Sequence, residues 1–426
     1  MTKTMILGQF LGLSGVYWFL KLRYTTVWRS KITCIIPSSI DTNRVKTCHG
    51  AVSVVSGTQL VSMPAWRTCF SDQRKDYRYY ELLEQTLTSG FTYHYFVLED
   101  HQRQVRAIQP FFLVNQDMLE GMGSKVRTFI ELPRRIFPQL FKMKMLMVGC
   151  AAGEGHFPLS SPEEAKWIAE SLHEALPALA RQLNVSLVVL KEFPASYRQP
   201  LSCFSNNGYT RIPSMPMVRL GIDFKNFDEY LSTVLSKSTR KSLRRKFKKA
   251  AESDPIEMQV VNDVTPYVDE VYPLYLQVYE RAKLKFEKLT KEYFCELGQT
   301  MPDRARFFIW RQQGQEIAFS LCMVHDRTIY DECIGLQYPL ALDLHLYFYT
   351  LRDIIQWAIA HGYTTYVSGA LNYDPKLHMR FNLVPLDLYV NHTSRFLKPV
   401  FRCLLPLLEP TRYDPTLRQF PNAHEL

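Results

Sequence analysis

The chain has 426 residues, of which 46% are hydrophobic, 22% charged and 13% aromatic. This composition is typical of globular proteins and excludes wholesale disorder, and the length suffices for two to three domains of roughly 150 residues each. Lys and Arg outnumber Asp and Glu by 51 to 41, a formal net charge of +10, which indicates an anionic partner such as nucleic acid, a membrane surface or a phosphate-bearing cofactor.

The first 62 residues are interpreted as an N-terminal extension that is disordered or associated with a membrane. Residues 5–20 are mostly apolar with basic flanks, but they are fewer than the ~20 needed to cross a bilayer. Three interpretations stay open: an upstream extension from a misassigned start, an interfacial or single-span anchor, and a signal peptide.

Residues 63–222 carry the pattern of a first α+β unit. Helix 77–88 is followed by strands at 93–98 and 105–114, which are rich in aromatic and β-branched residues, and by a third apolar run at 144–148. The string Ser161-Pro162-Glu163-Glu164 combines a capping serine, a proline and a later glutamate, which predicts that a helix begins there. Strand 185–190 follows this helix.

Residues 223–394 repeat this order of elements as a second unit. A basic helix at 226–251 precedes strand 257–261, helices 267–282 and 291–297, and strands 306–310, 316–324 and 328–334. Asp343 is the expected cap of the next helix, and strands 364–367 and 386–390 end the unit. Residues 395–426 form a C-terminal tail whose leucines suggest a docking helix, broken by prolines. A single domain with a long insertion is the alternative.

The basic segment holds most of the net charge. Eight cations lie between Lys237 and Lys249, which leaves 10 − 8 = +2 for the rest of the chain. The apolar residues Leu231, Leu235, Leu243 and Phe247 recur at intervals of four or eight, so one stripe is expected to be buried while the basic face stays in water. Two interpretations remain: a solvated helix without a ligand, or a surface that binds phosphate, RNA or lipid headgroups.

Three strings and the order of elements resemble the GNAT acyltransferase superfamily, and more narrowly its tandem-domain branch that includes the Fem-type peptidoglycan aminoacyltransferases. The resemblance covers residues 63–390. It rests on KSTRKSLRRKFKKA (237–250), IYDECIGL (329–336) and AHGYTTYVSGALNYDPK (360–376). It implies an α+β fold of two tandem GNAT-like units, each with a mixed, mostly antiparallel sheet flanked by helices.

The resemblance also implies an N-acyltransferase that moves an acyl group from acyl-CoA to a primary amine of a small molecule or cell-envelope precursor. An aminoacyl-tRNA donor is the alternative, as is a non-catalytic protein that binds nucleic acid or a membrane surface on the same scaffold. The expected partners are therefore a small-molecule amine, tRNA and a peripheral membrane contact. The oligomeric state is left open.

Three residues are expected to carry the chemistry. Asp331 and Glu332 are neighbours on one strand, so they point to opposite faces and only one faces a cleft. Asp331 would act as the base, directly or through water. Tyr373 would supply a proton to the leaving group, and Lys376 would hold an anionic group. Gly369, Tyr373 and Lys376 occupy the places where the resembled branch commonly has a strand-ending Gly followed by Tyr and Lys.

Donor phosphates are expected on backbone N–H groups where a strand turns into a helix. Gly153 and Gly155, in turn 149–155, resemble the superfamily's Gln/Arg-x-x-Gly-x-Gly loop, and Gly335 marks the corresponding second turn, which departs from that loop. Arg240 and Arg244 of the basic helix would attract the anionic donor.

The cysteines and histidines predict neither a disulfide framework nor a metal site. The nine cysteines are odd in number and contain no Cys-x-x-Cys pair, which is typical of a reducing compartment. No histidine stands in a His-Glu-x-x-His motif or at zinc-finger spacing from paired cysteines. We therefore expect a protein of the cytoplasm, or of the cytoplasmic face of the membrane, that binds no metal.

Overall fold

The computed structural model describes residues 44–426 except 61, 118–141, 160 and 283–284. The apolar run at 5–20 therefore lies outside the described residues. Among the residues described, no helix combines the length and the apolar character needed to span a membrane.

The described residues form fifteen strands and twelve α-helices. The strands are β1 Arg44–Thr47, β2 Gly50–Val55, β3 Phe91–Glu99, β4 Val105–Asp117, β5 Lys142–Val148, β6 Leu187–Pro194, β7 Thr210–Pro213, β8 Met217–Gly221, β9 Ile256–Val261, β10 Ala305–Gln312, β11 Gln315–His325, β12 Thr328–Leu336, β13 Thr365–Ser368, β14 Asn382–Val384 and β15 Leu386–His392. The helices are α1 Gly57–Leu60, α2 Tyr77–Thr86, α3 Pro162–Gln182, α4 Ser202–Asn206, α5 Phe227–Thr233, α6 Lys237–Ala251, α7 Val268–Arg281, α8 Lys291–Thr300, α9 Leu340–Asp343, α10 Leu346–Ala360, α11 Tyr373–His378 and α12 Lys398–Leu408.

The strands build two mixed sheets, which confirms the α+β fold of two tandem GNAT-like units. The first sheet has the order β1-β2-β3-β4-β5-β6-β15-β7, and the second has the order β14-β8-β13-β12-β11-β10-β9. Each sheet contains one parallel pair among the described residues, β5 with β6 and β12 with β13, and its other pairs are antiparallel. Both sheets therefore carry the same feature: a parallel pair next to an antiparallel meander.

Three hydrophobic cores hold the sheets and helices together. The central core combines residues of both sheets with residues of α2, α7 and α8, for example Phe112, Ile309 and Phe294. The opposite face of the first sheet packs on α3, and the opposite face of the second sheet packs on α5, α6 and α10. Burial of these apolar faces is the main driving force for the fold.

Local signals predicted α3 well. The Ser161 hydroxyl accepts a hydrogen bond from the backbone N–H of Glu164 at 3.2 Å, and Pro162 is the first helical residue. The helix buries a continuous stripe that includes Ile168, Leu172 and Leu179 against the first sheet.

The two sheets exchange strands, so they do not divide at residue 222 as the chain order predicts. Strand β8, from the end of the predicted first unit, lies between β14 and β13 of the second sheet. Strand β15, from the end of the predicted second unit, lies between β6 and β7 of the first sheet. Part of the predicted N-terminal extension is also folded, because β1 and β2 pair with each other and β2 pairs with β3.

Three helix boundaries differ from the prediction. The basic helix is two helices, α5 and α6, because Ser236 adopts an extended conformation and its side chain caps the N-terminus of α6. Helix α10 begins after His345, whose φ is +53°, rather than after Asp343, which ends the short helix α9. Helix α12 continues through Pro406, where the sequence predicted a break.

Candidate functional site

The parallel pair of the second sheet separates at Asp331. Strands β12 and β13 pair from Thr328 opposite Thr365 to Asp331 opposite Ser368, and the N–H of Gly369 donates to the Asp331 carbonyl at 3.2 Å. On the other side of β12, Cys333 lies opposite Leu321 and Asp331 opposite Cys322, so that Glu332 is an extra residue in a bulge. Bulges of this kind redirect side chains and are common beside active sites.

The bulge presents two neighbouring carboxylates to opposite faces of the sheet, as strand alternation predicts. Asp331 accepts hydrogen bonds from the hydroxyls of Ser320 and Tyr366. Glu332 instead faces the central core, where it pairs with Arg74 and Lys75.

Asp331, Ser320, Tyr366 and Lys376 form what we call the Asp331 cluster. The Tyr366 hydroxyl lies 2.6 Å from Asp331 Oδ2, and both Ser320 and Tyr366 are fully buried whereas Asp331 is half-buried. Burial raises the pKa of the Asp331 carboxyl, and the hydrogen bonds from Ser320 and Tyr366 oppose that rise. A carboxylate with a raised pKa in a half-buried residue is suited to act as a base.

Lys376 lies on α11 and shapes the loop that follows β13. Its ammonium donates to the carbonyl oxygens of Gly369 at 2.7 Å and Leu371 at 2.8 Å. Burial lowers the pKa of Lys376 to about 8, and the nearby charge of Asp331 opposes the decrease. The structure therefore brings together two of the three residues expected to carry the chemistry, Asp331 and Lys376.

The Tyr373 hydroxyl has a different partner. It donates to the carbonyl oxygen of Pro216 at 2.8 Å, and the ring is buried and packs edge-on against Phe420. The tyrosine that contacts Asp331 is Tyr366, which the sequence analysis did not select. Its position on a strand beside β12 was the available signal, but alternation specifies a face and not a contact partner.

The glycine turn 149–155 lies between β5 and α3, and two of its N–H groups already have backbone partners. Gly149 donates to the carbonyl of Pro110 and Gly155 to that of Glu192, each at 3.1 Å. Gly153 has a φ of +115°, and a Cβ there would lie 2.0 Å from the Lys75 ammonium. Glycine is thus required at 153 by backbone conformation and by the close approach of a buried cation.

Gly335 is also a close-packing position. A Cβ on this residue would lie 2.3 Å from the Phe319 ring and 2.6 Å from the backbone nitrogen of Tyr275 on α7. The absence of a side chain therefore lets α7 approach β12. Phosphate binding by Gly153, Gly155 and Gly335 stays a prediction.

A group of buried charges, which we call the inter-sheet ion cluster, consists of Arg74, Lys75, Glu154 and Glu332. Arg74 Nε lies 2.6 Å from Glu332 Oε1 and Arg74 Nη2 lies 2.8 Å from Glu154 Oε2, while Lys75 Nζ lies 3.2 Å from Glu332 Oε2. Although burial opposes ionisation, the charges of Arg74 and Lys75 hold the pKa values of both carboxyls below their usual range. The two cations and the two carboxylates balance in charge. Because Glu154 belongs to the glycine turn and Glu332 to the bulge of β12, the cluster links these two segments.

The basic helix α6 packs against α10, which carries Tyr347, a neighbour of Asp331. The Lys246 ammonium lies 3.4 Å from the centre of the Phe348 ring at the start of α10. Burial raises the pKa of the hydroxyl of the preceding residue, Tyr347, and the nearby Asp331 carboxylate raises it further. Lys246 also interacts with Asp374 in α11, the helix that carries Lys376.

The two arginines selected on the basic helix have different environments. Arg240 Nη1 donates to the carbonyl of Ser232 at 2.9 Å and thereby caps the end of α5. Arg244 is exposed. Their expected role in attracting a donor stays a prediction.

One group of potential metal ligands lies far from these residues in the fold, at the turn between β1 and β2. One ligand atom each of Cys48, His49 and Glu174 lie within 4.8 Å of one another. Sequence reasoning missed this group because Glu174 comes from α3, more than a hundred residues away. The eight cysteines in the described part of the chain are all free thiols.

Comparisons with known proteins identify the family. A family model described as peptidoglycan biosynthesis/recognition, FemAB-like, matches residues 59–382. FemX is similar in structure with a TM-score of 0.47, 10% identity, and coverage of 83% of this chain and 99% of FemX. L-PGS from Bacillus licheniformis has a TM-score of 0.46, 13% identity and coverage of 79% and 97%.

A tandem GNAT protein from the clavulanic acid biosynthesis pathway has a TM-score of 0.45 and 10% identity, with coverage of 80% of this chain and 99% of that protein. The search of curated proteins found no match. Because the family model spans well over half of its length, the chain belongs to the FemAB-like family and is an acyltransferase.

Proposed function

We propose that this protein transfers an aminoacyl group from aminoacyl-tRNA to a primary amine of a cell-envelope precursor. The Asp331 cluster is the reacting site in this proposal, and α6 receives the anionic donor. The observation that carries it is the position of Lys246 on α6, which contacts Phe348 on α10 and interacts with Asp374 on the helix of Lys376. Membership of a family described by peptidoglycan biosynthesis/recognition supports the acceptor class.

The distribution of cations favours tRNA over acyl-CoA as the donor. A compact pyrophosphate needs converging backbone N–H groups, and those of Gly149 and Gly155 donate to backbone carbonyls instead. Helix α6 offers eight cations and no acidic residue over fifteen residues, a length of about 22 Å. Such an extended basic surface matches a polyanion with many phosphates.

The proposed reaction forms one C–N bond and breaks one C–O bond. The acceptor amine attacks the ester carbonyl of the aminoacyl group, and the ribose oxygen of the tRNA leaves. Asp331 accepts the proton that the amine loses, directly or through one water, and the ribose oxygen gains a proton. Ser320 and Tyr366 keep the carboxylate oriented through their hydrogen bonds.

Lys376 acts in this proposal as a positioning residue. Its ammonium holds the carbonyl groups of Gly369 and Leu371, so it fixes the loop at the point where β13 leaves β12. The buried Tyr373 hydroxyl bonds to Pro216, which favours a packing role over proton donation to the leaving group.

The test is a transfer assay with the full-length protein, labelled aminoacyl-tRNA and an amine-containing peptidoglycan precursor, run beside acyl-CoA donors. We expect label to move from tRNA to the precursor. Asp331→Asn should lose at least ~100-fold in rate while it still binds tRNA. Asp326→Asn is the matched control, because Asp326 is exposed in the turn between β11 and β12.

Each alternative has its own result in the same assay. Transfer from acyl-CoA but not from charged tRNA would show that the donor is acyl-CoA and not aminoacyl-tRNA. Binding of tRNA with no transfer from either donor would favour a non-catalytic binding protein. An unchanged rate in Asp331→Asn would overturn the assignment of the reacting site.

A further inference from the structure

Helix α12 and the turn before it are apolar on two faces. The inner face packs on the first sheet, where Phe401 contacts the ring of His392 at 4.8 Å and Leu405 is buried. The outer face carries Phe396, Val400 and Leu404, which are spaced four residues apart and are 81%, 49% and 45% exposed. A helix that is apolar all round normally has a second apolar partner.

The charges of this segment are all positive. Residues 394–408 contain Arg395, Lys398 and Arg402 and no Asp or Glu. Arg395 and Arg402 are exposed. An exposed aromatic and aliphatic stripe on a segment whose charges are all positive is the pattern of a helix that lies in the interface of an anionic membrane.

We propose that α12 and residues 395–397 bind the surface of an anionic lipid bilayer. Phe396, Val400 and Leu404 enter the boundary between headgroups and acyl chains, and the cations of the segment add electrostatic attraction to the anionic headgroups. Charge complementarity selects this occupant over a second copy of the chain. A symmetric dimer through this face would bring the same cations of both copies together, with no carboxylate from the segment to balance them. The proposal does not depend on the donor or acceptor of the transfer reaction.

The first test is cosedimentation of the full-length protein with vesicles of phosphatidylcholine, with and without phosphatidylglycerol. We expect binding to the anionic vesicles, and a loss of about tenfold or more in the variant Phe396→Ser/Val400→Ser/Leu404→Ser. Leu342→Ser is the matched control, since Leu342 on α9 is 63% exposed but has no part in this stripe. The control should bind like the unmodified protein.

This comparison also separates α12 from the basic helix α6. The serine substitutions leave every cation of α6 in place, so vesicle binding through α6 alone would persist in the triple variant and would overturn the proposal. If the protein is a dimer that the triple variant dissociates, a second copy covers the stripe and the proposal is wrong.

A second measurement does not depend on how well the triple variant folds. Cys403 lies on α12 and is exposed, as is Cys48 on the first sheet. In a Cys48→Ser background, a polarity-sensitive fluorophore on Cys403 should shift to the blue when anionic vesicles are added. The same label on Cys48, in a Cys403→Ser background, should not shift. Equal responses at the two positions would contradict insertion of α12.

Discussion

Lys376 should contribute a part of the free energy of unfolding that rises with pH in the mildly alkaline range. Burial lowers its pKa from the ordinary 10.5 to about 8. At about 1.36 kcal/mol per pKa unit, the charged form is disfavoured in the folded state by about 3 kcal/mol. Below about pH 8 the folded protein carries this whole cost, and the cost disappears as pH rises toward 10.5, because the unfolded chain then binds more protons than the folded one.

The experiment is urea unfolding at about pH 7.5, 8.5 and 9.5, followed by the fluorescence of the six tryptophans. From the pKa values above, Lys376 alone should increase the free energy of unfolding by about 2 kcal/mol between pH 7.5 and 9.5. The variant Lys376→Met should lack this increase. The variant also lacks the hydrogen bonds from Lys376 to Gly369 and Leu371 at every pH. The slope of the free energy of unfolding with pH, and not its absolute value, therefore reports the titration.

Lys241→Met is the control for the removal of one lysine. Lys241 is exposed on α6, so its removal should leave the slope of the unmodified protein unchanged. Cysteines whose pKa values are raised by burial, such as Cys322 and Cys333, oppose the effect above their ordinary pKa of 9, and buried tyrosines such as Tyr366 oppose it above 10. The contribution of Lys376 is therefore the difference in slope between the unmodified protein and Lys376→Met. If Lys376→Met and Lys241→Met have the same slope, Lys376 is not a buried cation and the reasoning about its loop fails.

Three further predictions concern the surroundings of Asp331 and the basic helix. Glu332→Gln leaves the two buried cations of the inter-sheet ion cluster with one carboxylate, so it should lower the free energy of unfolding by about 3–5 kcal/mol. A loss below ~1 kcal/mol would mean that water screens the cluster. Tyr366→Phe removes a donor that lowers the pKa of Asp331, so the acid limb of the rate profile should move to higher pH; an unmoved limb would show that Asp331 does not titrate in it. Lys241→Glu with Arg244→Glu should weaken tRNA binding and flatten the plot of log K against log salt by roughly 1.5 to 2, whereas an unchanged slope would exclude phosphate contacts through these residues.

Features set by residues close in sequence were predictable, and features set by distant contacts were not. The cap at Ser161 needs only the residues that follow it, so helix α3 was predicted at its first residue. Gly362 follows the C-cap of α10 with a φ of +74°, a conformation that glycine favours and that the residue type alone indicates. In contrast, Arg74 and Glu332 are 258 residues apart, and no local pattern connects them.

The same distinction explains the errors in the domain boundaries. Alternation of apolar residues identified β15 as a strand but carried no information on which sheet it joins, and it pairs with β6 and β7 of the first sheet. Strands β1 and β2 were missed because the hairpin is short and its serines and threonines resemble a linker. Only pairing with β3 buries residues such as Val52.

The bulge at Glu332 makes two adjacent carboxylates chemically different. Glu332 faces two buried cations, which keep its pKa low and commit it to ion pairs with Arg74 and Lys75. Burial raises the pKa of Asp331, and the hydrogen bonds from Ser320 and Tyr366 and the charge of Lys376 oppose this rise only in part. Proton transfer near neutral pH favours a carboxyl group whose pKa is raised, and of the two neighbours this is Asp331. Glu332 is the bulge residue next to Asp331, and through Arg74 and Lys75 it is also linked to the glycine turn of the first sheet. A substitution in the inter-sheet ion cluster should therefore change the position of Asp331, the proposed base.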